Sequence, residues 1–284
     1  MRIFCSNLAP FDRYAERRIL RVMPDADATW SPAADLAGQL FDTRFRDIRR
    51  FARIDSTNRY LLAESARPGA ASASGIVAVA DEQTAGRGRH GRTWTAAPGA
   101  ALLVSVLLRP DLPADRLHLV TLAAAVAGTD AVRAVAGLDA RVKWPNDLMV
   151  DGRKLAGILA EADGAGAVVV GMGLNVRADA FPAELADQAT ACELHSAGPV
   201  DRSALLVAWL RALDAQLDAL SGVVASAAAR SATLGREVRV DLAREAFRGV
   251  AKRLTPEGYL VVTTDDGDER IVTAGDVVHL RVDG

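Results

Sequence analysis

The sequence predicts an α+β protein with a mixed, mainly antiparallel sheet backed by helices and a small C-terminal β domain. Apolar strand-like runs alternate with segments of helical periodicity over most of the chain. The pair Asp151-Gly152 lies between two such runs and suits a type I′ hairpin turn, which pairs strands antiparallel. After Ser231 the apolar residues recur at every second position, as they do in short strands.

Length and composition bound the possible functions. The chain has 284 residues, enough for one large and one small domain, and its net charge of −2 gives no global reason to expect nucleic acid as a partner. Cys5 and Cys192 fit neither a zinc site nor a disulfide framework. The apolar runs are shorter than the roughly 18 residues of a membrane span, and no signal-peptide core follows Met1. We therefore expect a soluble, cytoplasmic protein without a membrane partner.

Residues 1–50 are predicted to form an N-terminal extension. One short helix is expected over Pro32–Phe41 with Ser31 as its cap. The segment shows no convincing pair of helices joined by a tight turn, which a helix-turn-helix domain would require.

The main domain is predicted over residues 51–230. Ser56 caps one helix, Asp115–Ala136 is a second, and Asp201 caps a third with an apolar face. The expected strands are Gly75–Ala80, Ala101–Leu108, Arg141–Trp144, Leu148–Val150, Lys154–Glu161 and Val168–Val176. Residues 231–284 form the small C-terminal domain, with strands around Val238–Val240, Tyr259–Thr263, Ile271–Thr273 and Val277–Val282.

The sharpest local motif is GRGRHGR at residues 86–92. Its three glycines each cost roughly 0.5–1 kcal/mol relative to alanine in a regular element. Combined with four basic or titratable side chains, they favour a mobile loop that becomes ordered around carboxylate or phosphate oxygens. A solvated basic turn or a nucleic-acid-binding segment stays possible on this motif alone. The loop is neither a dinucleotide fingerprint nor a P-loop, since no clear helix opens after it.

A second motif, KWPND, occupies residues 143–147. Pro145 favours an extended Trp144, so Lys143 ends a strand, while Asn146 and Asp147 suit the following turn. Only three of the 34 basic residues are lysines, namely Lys143, Lys154 and Lys252. A lysine kept in such a chain indicates a site where a compact ammonium contacts a carboxylate or phosphate.

The two motifs, in this order and with STN at 56–58, Gln83, Trp94, KLAGILAE at 154–161 and GMGLNV at 171–176, resemble the biotin protein ligase family. The resemblance covers roughly residues 50–284. It implies a mixed sheet similar to that of class II tRNA synthetases, followed by an SH3-like barrel. The DNA-binding head of some family members has no counterpart in residues 1–50, so a form without a DNA-binding domain is expected.

The resemblance implies that ATP and biotin are the substrates. Biotin would be activated to biotinyl-5′-AMP and transferred to a lysine of a biotin carboxyl carrier protein domain. Lys143 and Arg89 would be catalytic, and Asp147 is a weaker candidate ligand for the Mg²⁺ that accompanies ATP. The implied substrate-binding residues are Ser56, Thr57, Asn58, Gln83, Gly86, Arg87, Gly88, Arg89, Trp94, Lys143, Asn146, Gly157, Gly171 and Asn175.

Several of these residues also have purely structural explanations. Ser56 to Asn58 could only cap a helix, Lys154 could only end its hairpin, and Gly171 and Gly173 could only allow close strand packing. Three alternative functions fit parts of the sequence. Lipoate protein ligase shares the fold and the adenylating chemistry but normally lacks both motifs. A nucleic-acid-binding regulator would use the arginine loop and the basic Arg44–Arg53 stretch, and a non-catalytic biotin binder would not need Lys143.

Overall fold

The structure is a computed structural model that describes residue 30 and the ranges 33–70, 73–242, 244–273 and 275–279. Ser31, predicted as a helix cap, and the end of the strand predicted to reach Val282 lie outside these residues. The helices are α1 Ala33–Gln39, α2 Thr57–Ser65, α3 His118–Ala136, α4 Arg202–Asp218 and α5 Val223–Ala229. The strands are β1 Asp47–Ile54, β2 Ile76–Gln83, β3 Ala101–Leu108, β4 Arg141–Lys143, β5 Asp147–Val150, β6 Arg153–Ala162, β7 Val168–Asn175, β8 Glu237–Asp241, β9 Ala246–Leu254, β10 Leu260–Thr264, β11 Glu269–Val272 and β12 Asp276–His279.

A seven-stranded sheet forms the centre of the main domain, in the order β1-β2-β3-β7-β6-β5-β4. Strands β1 and β2 are parallel, and the other neighbours are antiparallel, which confirms the predicted mixed, mainly antiparallel sheet. The hairpin between β5 and β6 turns at Asp151 and Gly152. Their φ angles of 48° and 75° are the positive values that a type I′ turn requires.

Helices cover both faces of this sheet. On one face α3 packs against α4 and contacts β6, and Trp209 of α4 is fully buried with its Nε1 donating to the Ala124 carbonyl at 3.1 Å. On the other face α2 places Leu61 against Ile76 and Leu107. Residues 114–136, which include α3, are long and apolar enough to cross a membrane, but 67% of their most apolar window is buried inside the protein. This is the burial of a core helix.

The end of the predicted extension belongs to the main sheet. Strand β1 begins at Asp47, and Leu36, Leu40 and Phe45 are completely buried in the main core. The sequence hides this edge strand because arginines alternate with its apolar residues along DIRRFARI. An edge strand tolerates such charges, since only one side of it is hydrogen-bonded within a sheet.

The C-terminal residues form a five-stranded antiparallel sheet in the order β11-β10-β9-β8-β12. Strand β9 was not predicted, because its charged residues and Gly249 interrupt the alternation. This domain docks on the KWPND turn. Trp144 donates from Nε1 to the Gly258 carbonyl at 3.0 Å and from its backbone N to Thr233 Oγ1 at 3.1 Å. The C-terminal domain therefore lies beside the motif rather than at a distance from it.

Candidate active site

Helix α2 begins beside strand β2 and places its first residues against it. Ser56 caps the helix, with its side chain accepting a hydrogen bond from the Arg59 backbone N at 3.5 Å. Thr57 donates from its backbone N to Gln83 Oε1 at 2.8 Å, and its Oγ1 lies 3.0 Å from the same oxygen. Thr57 therefore contacts Gln83, and capping is only one of the structural roles of this segment.

A chain of hydrogen bonds continues from Thr57 across the sheet. Thr57 Oγ1 lies 2.7 Å from Ser105 Oγ, which donates to Asn58 Oδ1 at 2.6 Å. Asn58 Nδ2 donates to Glu161 Oε2 at 2.9 Å and to a main-chain carbonyl of β6 at 3.2 Å. We call Gln83, Thr57, Ser105, Asn58 and Glu161 the polar chain. Its members come from α2, β2, β3 and β6, so it fixes the relative positions of these four elements.

Three glycines leave space above the sheet for side chains of the site. A Cβ at Gly171 would lie 2.1 Å from Asn58 Oδ1, and a Cβ at Gly173 would lie 2.4 Å from the Trp94 indole. A Cβ at Gly157 would lie 3.1 Å from the same indole. The glycines therefore do permit close packing, but of predicted site residues onto the strands rather than of one strand onto another.

The glycine-rich loop, residues 86–92, has an ordered conformation in the structure. Arg87 and Thr93 form an isolated antiparallel bridge, and a single 3₁₀ turn occupies Arg89–Gly91. His90 within this turn has a φ angle of 55°, so no regular helix follows the motif, as predicted. A Cβ at Gly86 would lie 2.3 Å from the Trp94 carbonyl oxygen, which explains the first glycine by the close return of the chain.

The KWPND turn contacts the glycine-rich loop through Arg89. Its Nη1 donates to Asn146 Oδ1 at 2.9 Å, and burial lowers the pKa of this guanidinium. On the adjacent β6, Lys154 Nζ lies 2.7 Å from Asp147 Oδ1 and 5.6 Å from the centroid of the Trp94 ring. Lys154 thus stands between the carboxylate of the KWPND turn and the indole that follows the glycine-rich loop.

Lys143 lies at the end of β4, as predicted from the KWPND motif. It ends β4 opposite Asp147, but it is absent from the described residues that line the cavity beneath the glycine-rich loop. Burial lowers the pKa of its ammonium, and Asp147 opposes this shift. Burial, together with the nearby charge of Lys143, lowers the pKa of His279 in β12 to about 4. The charges of Lys154 and Arg92 also lower the pKa of Lys143, so Lys143 lies near the cations of the cavity as well as near His279 of the C-terminal domain.

The C-terminal domain also holds the glycine-rich loop. Arg89 Nη2 donates to the Gly275 carbonyl at 3.1 Å, and Arg92 forms an ion pair with Asp276. His90 Nε2 lies 3.6 Å from the other carboxylate oxygen of Asp276. Sequence reasoning missed this contribution because it depends on how the two domains dock, which no local pattern records.

The glycine-rich loop and the sheet enclose a cavity of about 140 Å³. Cationic side chains on both sides make it suited to an anionic ligand. The predicted residues in its lining are Ser56, Thr57, Asn58, Gln83, Arg87, Gly88, Arg89, Trp94, Asn146, Asp147, Gly157 and Gly171. Residues not assigned to binding from the sequence also line it, among them Arg92, Val104, Ser105, Lys154, Ile158, Leu159, Met172, Gly173 and Asp276. For Lys154 and Gly173, the sequence provides only weak support for a role in the site.

Asn175, like Lys143, lies outside the lining. It is buried, and its Nδ2 donates to the Thr190 carbonyl at 3.0 Å. The Thr190 backbone N in turn donates to the Lys154 carbonyl at 2.8 Å. The amide of Asn175 thus supports the segment that pairs with the Lys154 backbone. Its buried Oδ1 has no hydrogen-bond partner among the described residues, so its substrate contact stays a prediction. Gly86 is likewise absent from the lining and acts through loop conformation.

The predicted metal role of Asp147 can be compared with the groups around it. Within the described ranges, no group of three or more His, Cys, Asp or Glu side chains could hold an ion. One carboxylate beside a cationic cavity fits the way Mg²⁺ is usually held with a nucleotide, through one or two carboxylates and the substrate's phosphates. Asp147 is at present paired with Lys154. The residues therefore fit a metal that arrives with the nucleotide.

The chain is similar to known proteins in sequence and in structure. Residues 50–176 match the model of the biotin/lipoate A/B protein ligase family, and residues 233–280 match the biotin protein ligase C-terminal domain. A biotin–[acetyl-CoA-carboxylase] ligase from Mycobacterium tuberculosis is 40% identical over 84% of this chain and 90% of its own length. The chain belongs to the biotin protein ligase family. A ligase with the same printed name from Paracoccus denitrificans is 32% identical over 78% of the chain and 97% of its own.

Solved structures agree with this membership. A biotin protein ligase from Aquifex aeolicus in complex with biotin and ATP superposes with a TM-score of 0.73 at 26% identity, over 84% of this chain and all of the other. The match to the C-terminal domain of biotin protein ligases separates this chain from the lipoate ligases that share the first family model. In the present chain, the glycine-rich loop and the KWPND turn are in contact through Arg89 and Asn146, so the two motifs belong to one site.

Proposed function

We propose that this enzyme activates biotin with ATP to biotinyl-5′-AMP and then transfers biotin to a lysine of an acceptor protein. The observation that carries the proposal is the cavity itself. Arg87, Arg89 and Arg92 from the glycine-rich loop and Lys154 from β6 line the cavity together with other polar residues and with apolar residues of the strands. Such a site suits a ligand with an apolar chain, hydrogen-bonding groups and a terminal carboxylate next to a phosphate.

The first step requires the biotin carboxylate to attack the α-phosphate, with pyrophosphate leaving. Two anions must approach each other, so catalysis depends mainly on positioning and on charge neutralisation. Lys154 is the lysine best placed for this task, because its ammonium lies at the cavity wall beside Asp147 and Trp94. We therefore propose Lys154 as a catalytic lysine beside Lys143, which is paired with Asp147 across β4 and β5 and so shares its face of the sheet.

The second requirement is shelter for the mixed anhydride, which water would hydrolyse. The glycine-rich loop covers the cavity and is tied down at Asn146 and at the C-terminal domain. We infer that Arg89 keeps the loop closed over the adenylate, since both of its hydrogen-bond partners lie outside the loop. The magnesium ion would enter as part of the nucleotide substrate, and Asp147 would then exchange part of its contact with Lys154 for the ion.

The acceptor is proposed to be a biotin carboxyl carrier domain of a biotin-dependent carboxylase. The relatives from Mycobacterium tuberculosis and Paracoccus denitrificans are named as ligases for acetyl-CoA carboxylase. The acceptor amine, with an ordinary pKa near 10.4, must lose a proton before attack. No nucleic acid or membrane is needed for this chemistry.

Two measurements test the proposal. The purified chain should catalyse biotin-dependent exchange between pyrophosphate and ATP, which reports adenylate formation alone. It should then attach labelled biotin covalently to a carrier domain in the presence of ATP. Absence of exchange by the wild-type protein would contradict the proposed activation step, whereas exchange without labelling of any carrier domain would contradict the proposed acceptor.

A further inference from the structure

An ion pair joins the glycine-rich loop to the polar chain. Arg87 Nη2 lies 3.0 Å from Glu161 Oε1, and the other carboxylate oxygen accepts from Asn58 Nδ2 at 2.9 Å. Glu161 sits on β6 with its side chain 19% exposed, while the Arg87 side chain is 47% exposed. One carboxylate therefore connects a half-exposed cation of the glycine-rich loop to a buried amide of the polar chain.

The amide of Asn58 is already fully engaged as a donor. Its two Nδ2 hydrogens are accounted for by Glu161 and by the Leu159 carbonyl, and its Oδ1 accepts from Ser105. A ligand could obtain a hydrogen from Asn58 only by displacing one of these bonds. Asn58 is consequently better suited to holding Glu161 in place than to donating to the substrate.

We infer that Glu161 is a positioning residue of this ligase, which holds Arg87 over the cavity and so retains the activated intermediate. This inference rests on the proposed function and assigns it a further residue. Glycine-rich loops lose conformational entropy when they close, so a fixed anchor for one arginine lowers that loss. The carboxylate also forms a charge-assisted hydrogen bond, the stronger class of such bonds.

The contribution of Glu161 can be separated from that of the residues touching the substrate. Glutamine at this position keeps an oxygen for Asn58 Nδ2 and keeps the size of the side chain, but it removes the charge that holds Arg87. The experiment forms the adenylate with biotin and ATP, removes free ligand, and measures the half-life of the bound adenylate. We expect Glu161→Gln to release it about tenfold faster, as loss of a hydrogen bond to a charged group implies. Formation at saturating biotin should change little.

A double-mutant cycle with Arg87→Ala distinguishes positioning from a general structural effect. In the Arg87→Ala background, Glu161→Gln should have no further effect on release, because the pair is already broken. The matched control is Glu82→Gln on β2, whose carboxylate lies 3.2 Å from Arg53 Nε outside the cavity lining. This control should leave the half-life unchanged.

Three results would overturn the inference. The first is an unchanged half-life in Glu161→Gln, and the second is additivity of the two substitutions. The third is a melting temperature that falls together with both formation and retention of the adenylate, which would make Glu161 structural. Measurements on the wild-type protein distinguish failure of this inference from failure of the proposed function. If it forms no adenylate, both ideas fail, and if it forms and retains one while Glu161→Gln behaves identically, only the inference fails.

Discussion

Lys143 and Lys154 both lie near the Asp147 carboxylate, and of the two only Lys154 is among the described residues that line the cavity. Lys154 Nζ makes a 2.7 Å ion pair with Asp147 and lies next to the Trp94 ring. Lys143 pairs with Asp147 along the β4–β5 register, and its charge acts on His279 of the C-terminal domain. The comparison teaches that the motif lysine and the hairpin lysine meet at one carboxylate, so the sequence motif alone does not say which of them contributes more to the chemical step.

The largest expected effect is on Lys154. Loss of one preorganised cation at the reacting centre costs about 10²–10³ in rate, so Lys154→Ala should reduce biotin-dependent pyrophosphate exchange by that factor. Lys252→Ala is the matched control, because this lysine is exposed on β9 of the C-terminal domain. Full exchange activity in Lys154→Ala would show that the ammonium at the cavity wall is dispensable.

The second-largest expected effect is on biotin binding and follows from substitution of Gly171, which lies next to Asn58. In Gly171→Ala the new methyl group would lie 2.1 Å from Asn58 Oδ1, so the polar chain must shift. Overpacking of this kind costs about 1–3 kcal/mol, and we expect biotin binding measured by calorimetry to weaken by about ten- to a hundredfold. Gly198→Ala provides the control, since no atom lies within 4 Å of its added carbon. Equal affinities of the two variants would contradict the role of Gly171.

The third expected effect is on release of the adenylate and concerns the glycine-rich loop that covers the cavity. Arg89→Ala removes hydrogen bonds to Asn146 and to the Gly275 carbonyl, so the loop loses contacts with both domains. We predict about tenfold faster release of the adenylate, measured after removal of free ligand. Arg141→Ala, which breaks a pair with the half-exposed Asp139, should not alter release. Identical release rates for Arg89→Ala and the wild type would refute the closing role.

The smallest expected effect is on the pH dependence of stability and concerns the environment of Lys143. The folded protein holds the pKa of His279 at about 4, below the ordinary 6.5, mainly through burial. The unfolded chain therefore binds this proton first, so stability is lost as pH falls from 6.5 towards 4 and is unaffected above pH 7. Lys143→Met removes one of the charges that depress this pKa, and should reduce the loss of stability between pH 7 and 5 by on the order of 1 kcal/mol or less.

Thermal unfolding at the two pH values provides this measurement. The control is His279→Gln, which should remove the same part of the pH dependence because no titrating group is left at that position. If Lys143→Met and the wild type lose equal stability on acidification while His279→Gln loses less, then Lys143 does not act on His279.

Much of the fold could be predicted from local patterns, and the failures have identifiable causes. The Asp151-Gly152 turn and the buried strand β3 follow from residues adjacent in sequence. Strand β1 was missed because an edge strand accepts the arginines that disguise it. The helix cap at Asp201 was predicted, and its side chain accepts from the Ser203 backbone N at 2.7 Å.

The site was predictable where a motif brings its own partners and not where partners come from elsewhere. Arg89 and Asn146 each belong to a recognised motif, and they are in contact. Ser105 gave no signal because it is a single polar residue within an apolar strand, and its role appears only when β3 lies beneath α2. Asp276 gave none because its contact with the glycine-rich loop depends on domain docking.

The central question of the mechanism is which lysine serves the chemical step. Biotin-dependent pyrophosphate exchange should be measured side by side for Lys154→Ala and Lys143→Ala, at saturating ATP and with biotin varied. We predict a loss of about 10²–10³ for Lys154→Ala, whose side chain lines the cavity, and a smaller loss for Lys143→Ala, which is absent from the described lining. A loss in Lys143→Ala equal to or greater than that in Lys154→Ala would contradict the assignment.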